Sequence, residues 1–377
     1  MLNNKKKIVF LTGTRADFGK LKSLIKITQE HLGFEVHIFA TGMHLDVKYG
    51  ETYIEIEKSG FKNIHCFKNH EGSEFMDRTL AKTIQGFSEF VANFKPDLIV
   101  VHGDRVEPLA GAIVGSLNNI LVAHVEGGEI SGTIDELIRH AVSKLSHIHL
   151  VSNKKAKKRL IQMGELESSV FVIGSPDLDL MNPKKLPPLQ EVKNYYKIPF
   201  NSFAIVMYHP VTTELNKAEE HAVILVDALV KSTKNYVVIY PNNDMGSQAI
   251  FDAYKQFEGK ENIKIFPSLR FEYFLRLLKE ADFIIGNSSA GIREAPYYGT
   301  PTIDVGTRQN NRVTFSSITN VDYDVEAILK VIKSVKKESH TQNFNNFGNG
   351  DSAQQFLDLL KSDKLWQIDC QKQFQDL

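Results

Sequence analysis

The 377-residue chain contains only two cysteines, Cys66 and Cys370, far apart and without metal-ligand spacing. That scarcity argues against a disulfide framework and is what reduced thiols of a cytoplasmic protein would give. Net charge is also missing: 45 Lys and Arg balance 45 Asp and Glu, with no like-charge block beyond Lys5 to Lys7 and Lys154 to Arg159. The electrostatic footprint of a nucleic-acid binder is therefore absent. No apolar run approaches the roughly 20 residues that a membrane-spanning helix needs. The run "IVFLTGT" behind the basic first residues is too short for a signal segment and reads as a strand. Internal repeats and low-complexity tracts are lacking. So is the dinucleotide fingerprint: "FLTGTRADFGKL" holds only Gly13 and Gly19 at the wrong spacing, which removes the motif case for a nicotinamide cofactor. These absences leave a soluble globular protein long enough for two domains.

Short apolar runs that end in Gly or polar residues alternate with amphipathic stretches. In the first half they are "KKIVFLTG", "EVHIFATG", "PDLIVVHGD", "NILVAHVEGG", "HIHLVSN" and "VFVIGSP". In the second they are "FAIVMYHP", "YVVIYPN", "IKIFPS", "DFIIGNSS" and "PTIDVGT". Strands apolar throughout, each followed by a helical pattern, predict an α/β protein with two doubly wound, Rossmann-like domains. The expected boundaries are 1–182 for the first domain, a linker at 183–198 in the stretch rich in Pro, Lys and Leu, 199–352 for the second domain, and C-terminal helices over 353–377 that pack back on the first. Ligands of such folds bind beyond the carboxyl ends of the strands, so an interdomain cleft at those ends is where function is sought.

The first strand end offers Thr14, Arg15 and Lys20 around a helix N-terminus, a setting that attracts a phosphate; the plainer reading pairs Arg15 with Asp17. The second adds His44. The next, "VVHGDRVEP", delivers His102 and Asp104; Asp104 is either a helix N-cap or a base. "VAHVEGGEISGTIDELIRH" delivers His124 and Glu126 and then opens a helix whose first turn holds Asp135, with Arg139 on the same face as an i,i+4 partner. A carboxylate such as Glu126 at the end of an apolar strand is costly unless paired or functional, whereas Glu129 and Glu136 read as solvent-facing. Asp104, Glu126 and Asp135 together predict acid/base work on a polyhydroxylated substrate. Metal binding by the nearby histidines and acids is the competing reading, and no HxxxH or CxxC spacing supports it. In the second half "GNSSAGIRE" places Ser288, Ser289 and Gly291 at a helix start to donate to a diphosphate, with Glu294 available to ribose hydroxyls.

The blocks "TGTRADFGKL", "HGDR", "HVEGGEISGTIDELIRH", "SKLSHIHL", "IGSPDLD", "YHPVTTE", "YPNND", "GNSSAGIREAP" and "VGTRQNNR" resemble the hydrolysing UDP-N-acetylglucosamine 2-epimerases of bacterial sialic acid synthesis, over roughly residues 5 to 375. The resemblance implies the two-domain GT-B fold, a homo-oligomer, UDP-N-acetylglucosamine as substrate, UDP as product, and neither metal nor cofactor. It implies a reaction in which UDP is eliminated in the anti sense to give 2-acetamidoglucal, followed by syn hydration to N-acetylmannosamine. Carried over by position, it makes Asp104, Glu126 and Asp135 catalytic. Arg15, Lys20, His44, Arg139, His209, Asn242, Ser288, Ser289, Glu294 and Arg308 become substrate contacts, with His209 at the phosphates and Arg139 and His44 at the sugar. Non-hydrolysing relatives typically read "GTRPE" and "HVEAGLRT" where this chain has "GTRAD" and "HVEGGEISGT", which points to the hydrolysing branch. A UDP-diacetamido-trideoxy sugar as substrate, and a GT-B glycosyltransferase that would need an acceptor, are the alternatives.

Overall fold

A computed structural model describes residues 5–70, 75–131, 134–310, 315–337, 347–373 and 375–376. The chain forms two compact units, one of Met1–Glu129, Asp135–Asn182 and Asn345–Leu377 and the other of Ile130–Ile134 and Pro183–Phe344. Two departures from the expected boundaries stand out. The stretch 183–198 is not a plain linker: it contains the helix Leu189–Tyr196, whose Tyr196 hydroxyl accepts from the Arg270 N–H at 2.8 Å and whose Glu191 accepts from the Tyr273 hydroxyl at 2.6 Å. Residues 347–352, expected in the second domain, belong to the first unit.

The first unit is built on seven strands, β1 (Lys6–Thr12), β2 (Phe34–Ala40), β3 (Ile64–Cys66), β4 (Leu98–His102), β5 (Leu121–Val125), β6 (Ile148–Val151) and β7 (Val170–Val172). Their order is β3-β2-β1-β4-β5-β6-β7 and every pairing is parallel. Parallel strands need crossovers, and crossovers put helices on both faces, so the central strands are buried on both sides; β4, β5 and β6 have no exposed residue. The helix Arg15–Glu30 covers one face. It opens with a capping box in which the Thr14 hydroxyl accepts from the Asp17 N–H at 3.2 Å and the Asp17 carboxylate accepts from the Thr14 N–H at 3.0 Å. The C-terminal helix Ser352–Leu360 completes this core: Phe356, Leu360 and Leu365 pack with Ile8, Phe10 and Leu24. Its first two N–H groups donate to the buried Asp179 carboxylate at 2.9 and 2.8 Å, and Trp366 donates to the Leu360 carbonyl at 2.9 Å.

The second unit repeats the plan with six parallel strands, β8 (Ala204–Met207), β9 (Tyr236–Ile239), β10 (Ile263–Phe266), β11 (Ile284–Gly286), β12 (Thr302–Val305) and β13 (Ile318–Val321), in the order β10-β9-β8-β11-β12-β13. At the end of β11, Gly286 has φ +137, and a Cβ there would stand 2.1 Å from the Met207 carbonyl oxygen. Only glycine lets β11 leave the sheet this close to β8. The expected α/β class with two doubly wound sheets is what the chain forms, and its edge strands β3 and β13 are additions to the eleven strands expected.

In the first unit one buried carboxylate gathers two lysines and a histidine. Glu165, only 1% exposed at the side chain, meets Lys144 Nζ at 2.8 Å, His149 Nε2 at 2.8 Å and Lys372 Nζ at 2.5 Å. Burial alone would raise its pKa, but these bonds and charges win and hold it at about 2 against an ordinary 4.5. A depressed carboxylate pKa stabilises the fold above the ordinary value and loses that contribution as pH falls towards the folded value. Urea unfolding between pH 5 and pH 3 is therefore expected to show wild type losing on the order of 2 kcal/mol that Glu165→Gln does not lose. Parallel pH slopes for the two proteins would refute this account.

Candidate active site

β1 is flanked by β2 on one side and β4 on the other, so the chain leaves these neighbours towards opposite faces and a crevice opens at their carboxyl ends. Glu126 sits beside it, directly after β5. Its φ is +63, a left-handed conformation rare outside glycine, and its N–H is fixed to the Leu150 carbonyl at 2.9 Å. Such backbone costs on the order of 1 kcal/mol and persists where surrounding contacts over-determine it. Those contacts are polar. His102 Nε2 lies 3.1 Å from Oε2, the Ser175 hydroxyl donates to Oε1, and Lys20 Nζ stands 3.8 Å from Oε2 and 3.5 Å from Asp177 Oδ2. Lys20, expected at a phosphate, thus lies between two buried carboxylates. Ser175 and Asp177 lie in "IGSPDLD", a block of the family resemblance in which the sequence alone marks neither side chain for a role.

Asp104 does not cap the following helix, whose N-cap is Arg105 with no side-chain cap bond. It is instead ion-paired with Arg139, from the helix Ile134–Leu145 whose first turn carries Asp135. Asp135 and Arg139 share a helix face as expected, and the guanidinium reaches across to the end of β4. The structure therefore ties Asp104 directly to the Asp135 helix and puts Glu126 on the adjacent strand. Glu129 also departs from expectation: it accepts from Ser152 and, at 3.2 Å, from Asn153 Nδ2. Glu136 lies 3.5 Å from His140.

The histidines around these acids are mostly buried and neutral. His44, expected at the sugar, is 0% exposed and held by Thr12 Oγ1 at 3.0 Å and Thr52 Oγ1 at 2.7 Å. Burial pulls its pKa to about 4, against the opposing pull of Asp17. It braces the first strand end from beneath. His124 is likewise fully buried and lowered to about 3 by desolvation. Arg15 lies 4.0 Å from Glu55, and Asp17 turns back to Thr12 Oγ1 at 2.5 Å and the Gly13 N–H at 3.0 Å. Among the described residues no group of three or more His, Cys, Asp or Glu is placed to hold a metal ion.

The second unit has its own topological switch point between β8 and β11. Asn287, which the sequence reading passed over inside "GNSSAGIRE", organises it. Its Oδ1 accepts from the His209 N–H at 2.7 Å, its Nδ2 donates to the His209 carbonyl at 2.8 Å, and its own carbonyl accepts from Gln309 Nε2 at 2.7 Å and Arg308 Nη1 at 3.4 Å. His209 Nδ1 accepts from the Asn242 N–H at 3.0 Å, which leaves the hydrogen of the neutral ring on Nε2. Asn242 in turn donates to Asp244. Ser289 is the N-cap of the helix Ala290–Tyr297, the Ser288 hydroxyl accepts from the Ala290 N–H at 3.3 Å, and Glu294 is buried on that helix. His209, Asn242, Ser288, Ser289 and Arg308 are thus gathered at one end of one sheet by a single asparagine. N–H groups, hydroxyls and a guanidinium at a helix start are the donor types suited to an anion.

A sequence model of the family described as UDP-N-acetylglucosamine 2-epimerase matches residues 26–361. The chain is 46% identical over 375 residues, 99% of either chain, to a UDP-N-acetylglucosamine 2-epimerase of Neisseria meningitidis. It is 33% identical to a hydrolysing UDP-N,N'-diacetylbacillosamine 2-epimerase of Legionella pneumophila, over 95% of this chain and 96% of the other. The fold is shared with the Methanocaldococcus jannaschii UDP-GlcNAc 2-epimerase solved with UDP-GlcNAc and UDP, at a TM-score of 0.79 and 23% identity over 94% of this chain and 99% of that one. With a family match over residues 26–361 and a relative 46% identical over 99% of either chain, the chain belongs to the UDP-N-acetylglucosamine 2-epimerase family.

Proposed function

We propose that the protein is a hydrolysing 2-epimerase that converts UDP-N-acetylglucosamine and water to N-acetylmannosamine and UDP, the first step of sialic acid synthesis. The observation that carries the reading is the set of carboxylates at neighbouring strand ends of the first unit: Glu126 buried among donors, and Asp104 paired to the helix of Asp135. Binding alone has no need of them. The 46% identity to the meningococcal 2-epimerase supports the substrate, and a 33% identical polysialic acid biosynthesis protein of Escherichia coli supports the pathway.

In the first step a carboxylate takes the C2 proton as the C1–O bond breaks. The bonding electrons leave with the β-phosphate of UDP and the C2–H pair becomes the C1=C2 bond of 2-acetamidoglucal. The departing diphosphate is taken up by Arg308, Ser288, Ser289 and the Nε2–H of His209, with Arg15 adding charge. In the second step an acid returns a proton to C2 from the other side of the ring while water, deprotonated by a base, bonds to C1. Asp104, Glu126 and Asp135 supply these acids and bases, and anionic carboxylates also stabilise oxocarbenium character at C1. Arg139 fixes the Asp104 carboxylate, Lys20 fixes Glu126, His44 holds Thr12 and Thr52 behind the first strand end, and Asn242 and Glu294 complete the substrate contacts. UDP-N,N'-diacetylbacillosamine is the second reading, favoured by the Legionella relative.

Proton NMR with UDP-N-acetylglucosamine in deuterated water, without acceptor or metal, is expected to show UDP and N-acetylmannosamine carrying deuterium at C2. An unchanged spectrum with this sugar and product with the bacillosamine derivative would move the assignment to the second reading. Asp104→Asn and Glu126→Gln are each expected to lower kcat by at least about a hundredfold while UDP affinity, read by calorimetry, stays near wild type. Near-normal turnover in both would remove them from the chemistry. Asn287→Ala, which strips both side-chain bonds from His209, is expected to weaken UDP binding by about ten- to a hundredfold. Unaltered affinity would mean that the His209 loop does not hold the diphosphate.

A further inference from the structure

Three segments that the proposed reaction uses meet on one imidazole. His124 lies in β5, two residues before Glu126, and its ring is wholly buried. Its Nε2 is 2.8 Å from the carbonyl oxygen of Gly103, the residue just before Asp104. Its Nδ1 is 3.0 Å from the hydroxyl of Ser143, on the helix that bears Asp135 and Arg139. A carbonyl can only accept, so Nε2 carries the hydrogen; Nδ1 is then a lone pair, and the Ser143 hydroxyl donates to it. The backbone after Glu126 closes over this contact, because a Cβ on Gly127 would stand 2.8 Å from Ser143 Oγ and 2.9 Å from His124 Nδ1.

We propose that His124 is a positioning residue, a neutral tether in one tautomer that sets Asp104, Glu126 and the Asp135 helix relative to one another without touching the substrate. The proposal rests on the hydrolysing 2-epimerase reading and adds to it the device that aligns its acids. Both ring nitrogens are committed to protein partners, so neither is available to shuttle a proton to a sugar. Ring charge would also undo the arrangement, since an imidazolium has no lone pair for the Ser143 hydroxyl. Burial dominates the balance of groups facing the ring: His102 and His149 also disfavour the charged form, while the Gly103 carbonyl and Glu126 favour it and lose. Acid/base sites have to be held to about half an ångström, and a misplacement of one ångström costs on the order of a hundredfold in rate.

The test uses the full chain. His124→Asn is expected to lower kcat by about ten- to a hundredfold and Ser143→Ala by less, with KM and UDP affinity near wild type. The double variant is expected to be no worse than His124→Asn alone, because both cut one tether. The apparent pKa values of the kcat profile are expected to stay where wild type has them, since the tether does not titrate in the working range. Nitrogen-15 NMR of the wild-type ring is expected to show a neutral Nε2–H form from pH 5 to pH 8. Wild-type kcat in both single variants, losses in KM equal to those in kcat, a displaced acid limb, or an imidazolium or Nδ1–H ring would each overturn the proposal. Should His124→Asn fail to fold, Ser143→Ala and the ring spectrum decide. A wild-type protein that leaves every UDP-sugar intact would overturn the reaction and not the tether, whose tautomer is read without substrate.

Discussion

Glu126 has to be buried and twisted into a left-handed backbone at once, and each condition forces a neighbour. Burial of a carboxylate demands donors, which come from His102 on the adjacent strand, from Ser175 beyond the last strand of the sheet, and from Lys20 on the first helix. The left-handed φ demands that the chain be held on both sides, by the Leu150 carbonyl before the turn and by Gly127 after it. Strands β4, β5 and β6, the first helix and the segment after β7 are therefore all answerable to one side chain. Breaking any of these contacts leaves a buried carboxyl group short of partners, which is more costly than the net worth of a single bond.

The two units apply one architecture to opposite charges. Each is a parallel sheet whose order reverses beside its first strand, and each collects its polar residues at that reversal. In the first unit they are carboxylates whose counter-charges, Lys20 and Arg139, come from helices. In the second they are N–H groups, hydroxyls and Arg308, with Asn287 as the shared anchor. The acids proposed to move protons and the donors proposed to hold a diphosphate thus come from different sheets. Separate sheets keep them apart in sequence and in environment.

Strands that are apolar from end to end betray themselves in sequence, and the nine interior ones are legible for that reason, as are the edge strands β7 and β10, which still carry short apolar runs. β3 and β13 were not: "IHC" and "ITNV" are edge strands, half exposed, and carry no run of apolar residues. The acids Asp104, Glu126 and Asp135 were legible as polar residues where apolar strands end or helices begin. What the sequence could not reveal was pairing across distance. Arg139 reads as the i,i+4 partner of Asp135 but also reaches Asp104, Lys20 reads as a phosphate ligand but lies between Glu126 and Asp177, and Asn287 reads as filler before two serines. Local spacing describes a helix face well and is blind to what a neighbouring strand brings to it.

The first unit closes its core with residues that follow the whole of the second. Phe356, Leu360 and Leu365 belong to the same apolar cluster as Ile8 and Phe10, and Asp179 waits for the N–H groups of Ser352 and Ala353. A chain emerging from the ribosome thus finishes its second unit while the first still has an open apolar face and an unanswered buried carboxylate. Lys372, which reaches Glu165 and the carbonyl oxygens of Lys144 and Ser146 at the end of the Asp135 helix, arrives later still. The acid-bearing unit is thus the last to close its core, so during synthesis the second sheet is complete before Asp104, Glu126 and Asp135 are fully braced.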